Sequence, residues 1–372
     1  MASFDDIDVH RPELARSYLA LLAAQPGRPL ALFAPRRVGK TWFLDNDLAP
    51  AARAADILPV YADLWLHKGA PLEAINHALE EALDDLRVPA GAVGRLARTP
   101  VKKVGALGAS IDLGEAPQRR PLPEAPALRL DALVARLSLE RGGKVLLLLD
   151  EAQTLGDLPN GNDLLATLRA VLHKRQAQVE AVLTGSSQEG LARLMATVGA
   201  PMYQFAQMLT FPVLGDEYLV QLTGHFAEVH QGRAPRLEDL RRLFARIGYK
   251  PALLRDIVKA MSAEGVINTD AGLAHFMADE RQAAGWRALL HTLDAFEQGV
   301  LLAVAQGLPP LGRETLARLA AIPGAAPTIA KVRTALEKLK RAGILTKAGN
   351  GLAIEDELFA EYLAGRAGGR GH

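Results

Sequence analysis

The pattern of apolar and polar positions changes rhythm several times along the chain. Residues 29–34 (Pro-Leu-Ala-Leu-Phe-Ala) form a short apolar run that ends at Pro35 and a glycine-containing turn, and a helical pattern follows from Thr41. Residues 58–64, 145–149 and 179–184 are further apolar runs of strand length. Between them, residues 71–87 place Leu72, Ile75, Leu79, Leu83 and Leu86 at helical spacing, and Asp163–Arg175 is a more polar helical pattern. Apolar strands that alternate with helices predict a parallel sheet sandwiched by helices.

The alternation stops at 88–128, which holds six prolines and five glycines in 41 residues. Such a stretch makes no regular helix. Lys103–Leu113 is a candidate hairpin within it. The segment reads as a surface insertion on the core, with a partner-binding segment or lid as the alternative. Further on, helices are predicted at Tyr218–Glu228, Leu237–Ile247, Pro251–Glu264 and Leu273–Ala283, and residues 287–366 form a third unit with its own rhythm. No internal repeat is present.

Composition narrows the classes. The chain has 372 residues, 49% apolar and 23% charged. These are the fractions of a globular protein of two or three domains, at roughly 150 residues each. There is no cysteine, which excludes disulfides, cysteine-ligated metal and a cysteine nucleophile. The net charge of +1 argues against a whole-surface polyanion binder. The N-terminus carries Asp5, Asp6, Asp8 and Glu13 and lacks the apolar core of a signal peptide. Val145–Leu149 is far shorter than the ~20 residues of a membrane span. The expectation is a cytoplasmic protein with no membrane partner.

Ala34-Pro35-Arg36-Arg37-Val38-Gly39-Lys40-Thr41 matches the phosphate-loop spacing G-x-x-x-x-G-K-T, with alanine at the first glycine. A loop between a strand and a helix N-terminus aims backbone N–H groups at phosphate oxygens. Gly39 allows close backbone approach, Lys40 reaches the β- and γ-phosphates, and Thr41 is a Mg²⁺ ligand. Pro35, Arg36, Arg37, Val38, Gly39, Lys40, Thr41 and Trp42 are the candidate nucleotide-binding residues. Lys144-Val-Leu-Leu-Leu-Leu-Asp150-Glu151 is the second motif. Asp150 is the candidate to hold Mg²⁺, and Glu151 the candidate to orient and deprotonate the attacking water. The base-reading Asn-Lys-x-Asp of GTPases is missing, so ATP is favoured. Thr184 and Ser186, at the end of the 179–184 run, are candidate γ-phosphate sensors. Arg193 is a candidate arginine finger, against an ordinary surface arginine. Arg255 is a candidate phosphate contact from the helix that Gly248-Tyr249-Lys250-Pro251 opens, against a plain helix-surface arginine.

Residues Ala34–Thr41, Leu146–Glu151, Leu183–Ser187, Phe211–Leu214, Gly248–Arg255, Ala342–Leu345 and Ile354–Leu363 resemble the AAA+-related ATPases of the archaeal-type ATPase group, close to the STAND ATPases. The resemblance covers most of the chain except 88–128. It implies an α/β P-loop NTPase fold of the AAA+ (ASCE) type, a three-layer sandwich with a parallel sheet. It implies an ATPase domain over 1–215, a helical lid over 216–284, a winged helix-turn-helix domain over 285–366 and a tail at 367–372. It also implies a slowly hydrolysing, nucleotide-controlled switch and self-assembly. The wider group includes replication initiators, transposition regulators and defence or signalling ATPases.

The C-terminal unit bears on the output. Thr328–Arg341 puts Ile329, Val332, Leu336 and Leu339 on one face and carries Lys331, Arg333, Lys338, Lys340 and Arg341. Leu345–Ile354 reads as a hairpin with its turn at Gly349-Asn350-Gly351. A helix followed by a hairpin predicts a winged helix whose recognition helix is Thr328–Arg341. The five basic residues are the candidate duplex-DNA contacts. Residues 286–366 hold ten Lys+Arg and eight Asp+Glu, however, so a protein-binding or autoinhibitory wing stays open beside DNA contact. A scaffold with little or no turnover is the remaining alternative.

Overall fold

The computed structural model describes residues 3–87, 121–185, 194–195, 198–348 and 351–368. They form two compact units, one comprising residues His10–Pro35 and Lys40–Pro212, the other Met1–Val9, Arg36–Gly39 and Val213–His372.

The first unit is built on five parallel strands in the order β2-β3-β4-β1-β5. These are β1 (Leu30–Phe33), β2 (Leu58–Asp63), β3 (Val145–Asp150), β4 (Val179–Gly185) and β5 (Gln207–Thr210). Every residue of β3 and β4 is buried. That is why both read as unbroken runs: a strand covered on both faces has no polar side to alternate with. Helices α1 (Pro12–Ala24), α2 (Lys40–Phe43), α3 (Ala49–Ala54), α4 (Pro71–Arg87), α5 (Pro126–Arg141) and α6 (Gly161–Lys174) flank the sheet. Val145, Leu147 and Leu149 share a core with Ile75 and Leu79 of α4, Leu133 and Leu137 of α5 and Leu165 and Leu168 of α6. Each buried leucine contributes roughly 1.5–3 kcal/mol. Strand alternation sends Leu146 and Leu148 to the opposite face.

Three elements of this unit have no counterpart in the sequence pattern. Strand β5 lies at the sheet edge, is only half-buried and has no apolar run. Helix α1 is the second. Helix α5 overlaps the end of the expected 88–128 insertion, because Pro126 suits a first helical turn and Gly142, at φ 72°, closes the last. The proposed hairpin at Lys103–Leu113 lies outside the described residues.

The second unit is helical, with a small hairpin. It contains α7 (Asp216–Val229), α8 (Leu237–Arg246), α9 (Pro251–Glu264), α10 (Thr269–Ala278), α11 (Glu280–His291), α12 (Ala295–Ala305), α13 (Arg313–Ala320), α14 (Ile329–Arg341), the antiparallel pair β6 (Leu345–Ala348) and β7 (Gly351–Ile354), and α15 (Glu357–Gly368). One core runs through it, from Phe226, Phe244 and Ile257 to Leu301, Val332, Leu339 and Phe359, and it also takes in Phe4 and Val9 of the N-terminal segment. The single helix expected over Leu273–Ala283 is broken. Asp279 leaves helical geometry, at ψ 124°, and caps α11 by accepting from the Arg281 amide at 2.8 Å. A short acidic side chain that satisfies an orphan N–H outweighs the continued apolar spacing. Thr328 caps α14 in the same way, accepting from the Lys331 amide at 3.2 Å. Helices α12 to α14 followed by β6–β7 have the element order of a winged helix. The expected turn residues Gly349 and Asn350 lie outside the described residues. No helix among those described is long and apolar enough to cross a membrane.

Candidate functional site

The site lies at the carboxyl ends of the strands, the usual ligand-binding edge of an open parallel sheet. Register decides who meets there. Asp63 is paired with Asp150, Leu183 with Leu149, and Thr184 with Leu32 near the end of β1. Strand β4 therefore stands between the strand that leads into the phosphate loop and the strand that ends in Asp150.

The loop has two residues in left-handed geometry, Arg37 at φ 66° and Gly39 at φ 92°. Alternation of this kind turns successive N–H groups into one concavity suited to an anion. A Cβ on Gly39 would meet no atom within 4 Å, so glycine is required there by its φ and not by crowding. Ala34, in place of the first glycine, is buried at the end of the strand. Lys40 is buried, and its Nζ donates to the carbonyls of Ala34 at 2.7 Å and Pro35 at 2.8 Å. Its cation is thereby held at the entry of the loop.

Asp150 is the hub. Its Oδ2 accepts from Thr41 Oγ1 at 2.6 Å and from Tyr61 Oη at 3.2 Å. Its Oδ1 accepts from the Glu151 amide at 3.0 Å and from the fully buried Thr184 hydroxyl. Thr41, Asp150 and Thr184, predicted separately from three parts of the chain, meet on one carboxylate. A hydroxyl that donates its proton to Asp150 keeps its lone pairs. The Thr41 and Asp150 oxygens are hard donors of the kind Mg²⁺ takes, and Mg²⁺ fills its other positions with water and phosphate oxygens. The residues thus fit that cation.

The field around the hub is negative. Burial pushes the Tyr61 phenol far up, and the charges of Asp150 and Asp63 push it further. Asp45 is also raised, by burial first and by Asp150 second. Glu151 sits in left-handed geometry, at φ 56° and ψ 42°, a conformation that costs a non-glycine residue on the order of 1 kcal/mol and is concentrated at functional sites. Its carboxylate accepts from the side chain of Gln153, which is buried.

Sequence reasoning missed the groups that seat the helix after the loop. A π-helical turn, Leu44–Leu48, interrupts that helix. Within it, buried Asp47 accepts from the Arg11 amide at 3.0 Å and sits 2.8 Å from His10 Nδ1. The Arg11 guanidinium lies over Phe43 at 5.0 Å and Phe211 at 4.3 Å and donates to the Pro212 carbonyl at 2.9 Å. Trp42 packs against the His10 ring with centroids 5.0 Å apart. No local signal announces these partners, since each lies dozens of residues from the loop. Tyr61 was missed for the same reason.

The remaining candidates fall elsewhere. Ser186 and Arg193 lie outside the described residues. Arg255 belongs to the second unit, on α9, with its Nε 3.8 Å from Asp5 Oδ1. Of the basic residues on α14, Lys338 pairs with buried Glu297, and Lys340 pairs with Glu337 at 3.2 Å. Lys331, Arg333 and Arg341 are exposed and make no ion pair among the described residues.

Solved structures share this architecture. The Walker-type ATPase of Pyrococcus abyssi is 16% identical, with a TM-score of 0.59 and coverage of 96% of each chain. The chain has the fold of the archaeal-type AAA+ ATPases. The ORC2 protein of Aeropyrum pernix, solved with ADPNP and ADP, is 16% identical, with a TM-score of 0.54 over 94% of this chain and 90% of its own. No family model and no curated protein matches the chain. At such identity the likeness is one of fold, so the chemistry of this chain is argued from its own side chains.

Proposed function

We propose that this protein is an ATP-binding, slowly hydrolysing molecular switch whose nucleotide state controls the C-terminal winged-helix unit. The observation that carries the reading is the 2.6 Å bond from Thr41 to Asp150, which unites the two motifs of a Mg²⁺–nucleotide site. In this reading Pro35–Trp42 bind ATP, with Lys40 the cation for the β- and γ-phosphates. Thr41 and Asp150 hold Mg²⁺, which when bound neutralises phosphate charge. Glu151 takes the proton of the attacking water, and Thr184 couples the end of β4 to Asp150. Thr184 and Ser186 remain proposed γ-phosphate sensors, Arg193 a proposed arginine finger and Arg255 a proposed phosphate contact. The chain then works as three parts: core, lid and winged helix.

The test is ATP binding and turnover by wild type, Lys40→Ala and Glu151→Gln. Lys40→Ala loses binding. Glu151→Gln keeps binding and loses turnover by about 10²–10⁴-fold. Equal turnover by all three, or no binding of ATP–Mg²⁺ by wild type, sinks the reading. Binding without turnover favours a scaffold.

A second reading, a DNA-binding ATPase that loads or regulates a partner on DNA, rests on Lys331, Arg333 and Arg341. They are exposed and make no ion pair among the described residues, whereas Lys338 is tied to Glu297. A duplex-DNA shift at low salt, lost in Lys331→Glu/Arg333→Glu/Arg341→Glu, supports it. No shift counts against it.

A further inference from the structure

We propose that Tyr61 is a positioning residue for the divalent-metal site, acting through Asp150; the role rests on the ATPase reading above. Tyr61 lies on β2, opposite Leu148 of β3, with Asp63 opposite Asp150 at the strand ends. From that edge strand its Oη reaches Oδ2 of Asp150 at 3.2 Å, the oxygen to which Thr41 donates at 2.6 Å.

A carboxylate at a strand end rotates about its Cβ–Cγ bond unless both oxygens are engaged. On Oδ1 the restraint is the Thr184 hydroxyl and the Glu151 amide. On Oδ2 it is Thr41 and Tyr61. Thr41 is the group whose own oxygen is needed for a cation, so its orientation has to serve two partners. Tyr61 serves one. Its ring is anchored in a strand, and its hydroxyl donates to this one oxygen. A donor with no other partner to serve among the described residues holds Oδ2 in place while Thr41 binds. Partners that orient a metal ligand in this way typically change metal affinity by about 10–100-fold when removed.

The phenylalanine variant removes the hydroxyl and leaves the ring. Two quantities are read with a fluorescent ATP analogue: its affinity without Mg²⁺, and the Mg²⁺ concentration that half-saturates the metal-dependent gain in affinity. For Tyr61→Phe, the half-saturating Mg²⁺ rises about 10-fold. Affinity without Mg²⁺ and the melting temperature of the unliganded protein stay at wild-type values. kcat recovers at saturating Mg²⁺. Tyr61→His, which retains an N–H donor, recovers part of the Mg²⁺ affinity. Tyr203→Phe, which removes a phenol remote from Asp150, leaves every value unchanged. A Tyr61→Phe titration that superimposes on wild type overturns the proposal. So does an equal loss of affinity with and without Mg²⁺, which marks a structural role only. Wild type that shows no metal-dependent nucleotide binding overturns the ATPase reading itself and this role with it.

Discussion

Lys250 and Glu357 lie 107 residues apart and form an ion pair, with the Lys250 ammonium also donating to the Glu355 carbonyl at 3.1 Å. The Lys250 side chain is 5% exposed and that of Glu357 36%. Lys250 is the N-cap of α9, and Glu357 opens α15. The contact therefore joins the start of a helix in the middle of the chain to the last helix. Gly248, at φ 71°, passes so close to the Glu357 carboxylate that a Cβ there would collide with it.

Replacing Lys250 by methionine keeps the stem and removes the charge, leaving Glu357 without its partner in a partly buried position. The expected loss is about 1–3 kcal/mol in urea unfolding, less than for a fully buried pair because water still reaches Glu357. Adding Glu357→Gln to Lys250→Met restores part of it. If the double variant is no more stable than the single one, the pair contributes nothing specific.

Asp131 on α5 accepts from Arg175 Nε at 2.8 Å and from Lys174 at 2.7 Å. The Arg175 hydrogen bond, reinforced by Lys174, pulls its carboxyl down to about 2 from an ordinary 3.8. The folded state therefore holds the proton less tightly than the unfolded state. The stabilisation is fully present above the unfolded value near 3.8 and is lost as pH falls toward 2. Discounted for partial exposure, it amounts to about 1–2 kcal/mol at neutral pH. Asp131→Asn is predicted to be less stable than wild type at pH 7, with the two converging by pH 2 in equilibrium denaturation. A constant gap across that window refutes the assignment.

Gly161 starts α6, and a Cβ there would lie 2.8 Å from the Leu155 carbonyl oxygen and 3.0 Å from the Gly156 Cα. Both are backbone atoms just after the turn that carries Glu151, and neither can swing aside as a side chain does. Gly161→Ala should cost about 1–3 kcal/mol. Gly224, exposed in α7 with no atom within 4 Å of a Cβ, is the control. Gly224→Ala should be stabilising by about 0.4–1 kcal/mol. Thermal melts of the two variants separate crowding from generic loss of glycine.

Several features of the site were legible because their signals are local. The run leading to Asp150 is apolar at every position since both sheet faces are covered, and the Ala34–Thr41 loop follows its strand directly. Helix α9 announced itself through Pro251. Strand β5 did not, because an edge strand half-open to solvent carries no continuous apolar run. The break at Asp279 was hidden because one cap hydrogen bond decided it against the apolar spacing.

By itself the sequence determined the elements that carry the chemistry and the residue types at their ends, since burial pattern, loop spacing and helix starts are written within short windows. Only the tertiary structure decided the meeting on Asp150: parallel register and the order β2-β3-β4-β1-β5 bring Tyr61, Thr41 and Thr184 onto one carboxylate. Lys250 with Glu357 and Asp47 with Arg11 are contacts of the same kind. The partners are far apart in the chain, and what joins them is the packing of whole elements, which no local window contains.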